Sequence, residues 1–149
     1  MKITKILGSL GLFATTPALA DWHYVKWGMN QQQLIAASNG KAHAIEKSDY
    51  AYGRAIANTT YAEGPWKFEV QFSGSTSANV MFGIPVEVDN IRFGVTTNCE
   101  GLLPYLKAKY PLIREGAGGE FRFSDGPDEI RYHPFMSKCS FRRFKRGRY

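Results

Sequence analysis

Apolar and polar positions alternate most cleanly from Trp66 to Phe72, where Trp66, Phe68, Val70 and Phe72 fall on one side of an extended chain and Lys67, Glu69 and Gln71 on the other. A strand of this kind buries one face and wets the other, which is the pattern of an antiparallel sheet covered on one side. Further strands are predicted over 54–61 and 90–95, with a weaker one over 41–47. The alternation over 79–89 is interrupted by Gly83 and Pro85, as in an edge strand or a bend. Residues 120–123 and 129–133 flank Ser124-Asp125-Gly126-Pro127-Asp128 and read as a hairpin. The glycine-rich stretch 113–120 reads as a loop, and 139–145 as a final strand or an extended tail.

Two stretches break the two-residue period and read as helices. Asn30 is an N-cap with Gln33 placed to complete a capping box, Met29 and Leu34 can close a hydrophobic staple, and Asn39-Gly40 offers a left-handed end. The second helix carries Thr97 as N-cap, Glu100 as its box partner, and Leu102, Leu103, Leu106 and Tyr110 behind them. Pro104 either kinks that helix or sits in its first turn, where a missing N–H costs nothing, and Pro111 ends it. Helices this short cannot hold themselves in water and need a sheet to lie on. Trp27-Gly28-Met29 before the first box is echoed by Phe93-Gly94-Val95 before the second, the trace a duplicated α+β unit would leave.

Residues 1–20 follow a different pattern. Lys2 and Lys5 precede an apolar run from Ile6 to Phe13, and Ala18-Leu19-Ala20 closes the stretch, which predicts a signal peptide cleaved before Asp21. The apolar run is far below the roughly 20 residues that span a bilayer. The remainder, 21–149, fits one domain with a core of its own and a basic C-terminal tail over 141–149. Export to a periplasm or beyond makes a disulfide between Cys99 and Cys139 the simplest use of the two cysteines. Neither lies in a C-x-x-C pair, the spacing expected of a redox site.

Without the signal the net charge is +4, and five basic residues, Arg142, Arg143, Lys145, Arg146 and Arg148, fall in the last nine positions. Interleaved with Phe141 and Phe144, they form the candidate surface for a polyanion or an envelope partner, with guanidinium groups paired to anionic oxygens. Catalytic signals are missing: His23, His43 and His133 are scattered, Ser73-Gly74-Ser75 is not G-x-S-x-G, and Asp125, Asp128 and Glu129 lack the spacing of a calcium loop. No catalytic residue, metal or cofactor is therefore expected, nor specific nucleic-acid binding.

Gly28-Met29-Asn30-x-x-Gln33-Leu34 resembles the Gly-Met-Ser/Thr-x-x-Glu/Gln-Val/Leu signature of small exported bacterial proteins of the BamE (SmpA/OmlA) type, whose fold is similar to that of the β-lactamase inhibitory protein. Unlike the lipoprotein members, this chain has no cysteine at the predicted cleavage point to carry a lipid, and it has Gly40-Lys41-Ala42 where they carry Gly-x-Pro. The resemblance implies a non-catalytic binding scaffold. Together these readings give an α+β domain, an antiparallel sheet of five to seven strands with two short helices on one face, serving as a periplasmic or secreted binding module. The alternative is an exported hydrolase without a recognisable motif.

Overall fold

The computed structural model describes residues 22–45, 54–74, 85–134 and 139–147; the predicted signal peptide, the first part of the 79–89 alternation and Arg148 lie outside them. The elements run α1 (Gln31–Ala37), β1 (His43–Ala44), β2 (Arg54–Glu63), β3 (Trp66–Gly74), β4 (Asn90–Val95), α2 (Leu102–Lys109), β5 (Leu112–Glu115), β6 (Phe121–Asp125), β7 (Asp128–Tyr132) and β8 (Ser140–Lys145). All the strands pair antiparallel in one sheet of order β1-β2-β3-β4-β8-β7-β6-β5. The fold is thus α+β, with eight strands among the described residues rather than five to seven. Each half is a helix followed by a four-stranded meander, and the halves join through their last strands.

Two strands account for most of the difference from the sequence expectation. β5 lies inside the stretch read as a loop. Leu112 and Ile113 are both exposed there, and a bulge before Arg114 destroys any alternation. β8 occupies the stretch counted as the start of a tail. It is a central strand between β4 and β7, because Phe141 stacks on Phe93 at 4.5 Å and belongs under the core.

The first helix forms as its caps dictate. Asn30 Oδ1 accepts from the Gln33 backbone N–H and Gln33 Oε1 from that of Asn30, both at 3.0 Å. The chain then leaves through Asn39 and Gly40, both at positive φ. The second helix departs from its predicted cap. Its N-cap is Gly101, at φ 76° and without a side-chain bond, while Thr97 Oγ1 instead accepts from the Lys67 N–H of β3 at 3.4 Å. Pro104 falls in the first turn, where the absence of an N–H leaves no intrahelical bond unmade.

Leu34 of α1 and Leu102 and Leu106 of α2 share one hydrophobic cluster with Phe68, Val70, Phe72, Ile91, Phe93, Phe121, Phe123 and Ile130 from the strands. The segment before α1 adds Trp22, whose ring meets those of Tyr61, Phe72 and Phe93. Cys99 and Cys139 are disulfide-bonded with Cα atoms 6.0 Å apart, tying the start of β8 to the approach to α2. No helix among the described residues is long and apolar enough to cross a membrane.

Glu63, at the end of β2, holds α2 through hydrogen bonds from Tyr105 and Lys109, and it also accepts from Tyr61 at 3.1 Å. Partial burial pushes its carboxyl up, but the Lys109 and Tyr105 bonds outweigh this and hold it below the ordinary 4.5. A lowered folded-state pKa stabilises above the unfolded value, and the benefit is lost as pH falls through the folded one. Glu63→Gln is therefore expected to lower stability by up to about 1 kcal/mol at neutral pH, the scale of a partly exposed ion pair. The difference from wild type should vanish below the carboxylate range. Urea midpoints of the two proteins at neutral and strongly acidic pH measure it, and a difference that persists in acid would dissociate it from Glu63 ionisation.

Candidate functional site

The sheet face away from the helices carries one row that crosses every strand. Following the paired residues from edge to edge gives His43, Asn58, Gln71, Arg92, Arg142, Arg131, Arg122 and Arg114. Five adjacent strands thus each place an arginine at the same level. Strands lie about 4.8 Å apart, so the five span about 19 Å.

Their surroundings differ along the row. Arg122 is paired with Glu120 and lies 3.8 Å from Glu129. Arg131 is paired with Glu129, and its guanidinium sits 4.9 Å above the Phe144 ring. Arg92, Arg114 and Arg142 are exposed and have no carboxylate partner among the described residues. A groove of about 410 Å³ opens over Arg92, Arg131 and Arg142, with Glu120, His133 and Ser140 also lining it. Glu120 is partly desolvated, yet the hydrogen bond from Arg122 and the charges of Arg122 and Arg131 hold its carboxyl below its ordinary value. Its other oxygen lies 2.8 Å from His133 Nε2.

Like charges directly opposite across strands destabilise a sheet by roughly 0.2–1 kcal/mol. Arg142 has Arg92 on one side and Arg131 on the other. Arg142→Gln is accordingly expected to stabilise the fold by up to about 1 kcal/mol at low salt, with the gain shrinking as salt screens the repulsion. Denaturant unfolding at two ionic strengths checks this; a variant less stable than wild type at low salt would show that the row is not repulsive.

Of the five basic residues expected to act together near the C-terminus, the four among the described residues do not share one surface. Arg142 lies on the open face. Arg143 turns to the core side, 8% exposed, with Nε 2.7 Å from Asp128 Oδ2 and a terminal nitrogen 2.7 Å from Asp125 Oδ2. A buried, doubly paired guanidinium cannot serve a surface partner, so Arg143 is a structural residue. Lys145 is exposed opposite Asp128. Arg146 is bound through its side chain to Ser124 and through its backbone N–H to Pro127 O at 2.9 Å. Arg92, Arg114, Arg122 and Arg131 were not singled out from the sequence. The available signal was an arginine between two core residues, as in Ile91-Arg92-Phe93, Phe121-Arg122-Phe123 and Ile130-Arg131-Tyr132.

Among the described residues no group of His, Cys, Asp and Glu is arranged to hold a metal ion. What the face can do chemically is present several guanidinium forks to anionic oxygens, each able to form two parallel hydrogen bonds. No protein family, curated protein or solved structure matches the chain.

Proposed function

We propose that this chain is a non-catalytic binding module of the bacterial cell envelope that holds an anionic envelope component on the open face of its sheet. The observation that carries the reading is the line of five arginines, three of them without a carboxylate partner among the described residues. Export rests on the signal-like residues 1–20, and the disulfide is in keeping with an oxidising compartment. The helix-plus-meander order of each half supports a duplicated unit packed with both helices on one side of the sheet.

The test measures binding of lipopolysaccharide, anionic lipid vesicles and an acidic polysaccharide by wild type and by the double variant R92Q/R142Q. The variant is expected to lose most binding at low salt, and undiminished binding would overturn the reading. Cutting the chain after Ser140 is no substitute, since it removes a central strand of the sheet.

One observation favours the hydrolase alternative. Glu120, His133 and Ser140 line the same groove, with the carboxylate in contact with the imidazole, and these are the residue types of an acid, a base and a nucleophile. Covalent capture of Ser140 by a fluorophosphonate probe, lost in Ser140→Ala, would support that reading. Absence of labelling in folded wild-type protein counts against it.

A further inference from the structure

We infer that the ligand of the arginine row is a linear polyuronate-type polysaccharide, lying across the strands with its carboxylates on the row's arginines, Arg92, Arg142 and Arg114 foremost, since they carry no carboxylate partner among the described residues. This rests on the reading of the open face given above and adds the class and direction of the ligand. The first ground is geometric. An isolated anion needs one or two guanidinium groups, whereas five stand in a straight line at the strand spacing of about 4.8 Å. One ring of an extended glycan advances its chain by about that distance, so the carboxylates that turn toward the sheet fall at whole multiples of the strand spacing.

The second ground is what continues the line. Beyond Arg92 the same row carries Gln71, Asn58 and His43, polar side chains whose hydrogen-bonding groups suit sugar hydroxyls. The third ground separates the glycan from nucleic acid. Single strands are held by positive grooves together with aromatic rings on which bases stack. Among the described residues the rings lining the groove are both engaged: the Arg131 guanidinium lies over Phe144, and His133 Nε2 is 2.8 Å from Glu120.

The experiment titrates full-length protein, without its first 20 residues, with oligogalacturonates from the monosaccharide upward, a single-stranded oligonucleotide and poly-glutamate. Affinity for the uronate series is expected to climb with length and level off near about five units, the number of strands carrying arginine. R92Q/R142Q should lower the plateau affinity at least roughly tenfold, the scale of losing charge-assisted hydrogen bonds. Lys107→Gln, on α2, should leave it unchanged, and unfolding midpoints of all variants establish that each is folded. Length-independent binding, or tighter binding of the oligonucleotide or poly-glutamate, overturns the polysaccharide proposal while the anion-binding face stands. Binding of no polyanion, or binding indifferent to R92Q/R142Q, overturns both.

Discussion

Arg143→Met is expected to lower the free energy of unfolding by about 3–5 kcal/mol, the cost of leaving a buried charge without its partner. The charge in question is Asp128, which is 0% exposed. Its carboxylate accepts from Arg143 Nε at 2.7 Å through one oxygen and from Trp27 Nε1 at 2.9 Å through the other. With the guanidinium gone, a single indole N–H must hold an ion that has lost its water. The reverse change is gentler, because in Asp128→Asn the guanidinium keeps Asp125 and the amide oxygen can keep Trp27. R143M is therefore expected to cost more than D128N, and the double variant to recover part of the R143M loss. Equilibrium urea unfolding of the three proteins measures this. A D128N loss as large as that of R143M would mean that Asp125 offers no second anchor. The network also matters for the fold as a whole, since Trp27 belongs to the segment before α1 while Asp128 and Arg143 belong to β7 and β8.

The second large effect is expected at Cys99 and Cys139. The bond closes a loop of 40 residues, for which constraint of the unfolded chain corresponds to about 4 kcal/mol in the chain-entropy account. Against a domain stability of about 5–15 kcal/mol, that is a large share. The C99A/C139A variant should unfold at a clearly lower urea midpoint than wild type. Reductant should bring wild type down to the variant and leave the variant unmoved. A further drop of the variant in reductant would show that something besides this bond is being changed. Because the staple fixes the start of the strand that carries Arg142, ligand binding by the reduced protein is expected to weaken with its stability.

Elements whose cause is local were legible in the chain. The Asn30–Gln33 box works because its two groups are three residues apart, and β3 was read from neighbours two apart. The hairpin over 121–132 followed from Gly126-Pro127 between alternating strands. The cysteine pairing followed from there being only two cysteines in a chain read as exported. Where local signals competed, the reading failed. Thr97 had the chemistry of a cap, but β3 lies within reach of its hydroxyl and Gly101 could adopt the left-handed entry to α2. β5 has no alternation because its side chains are exposed on both sides.

The proposed binding face belongs to the other category. By itself the sequence determined where α1 starts, roughly where β2, β3, β4, β6 and β7 run, which side of β3 is apolar, and that one disulfide closes the late part of the chain, since all of these depend on neighbouring residues or on counting. Arg92, Arg114, Arg122, Arg131 and Arg142 are spread over about a third of the chain, and only the register of five paired strands brings them into one line. The same register sends Arg143 to the core, one residue from an arginine that meets solvent. Strand order decides that outcome, and it is set by how the two meanders join under a common core, a long-range packing that no local pattern encodes.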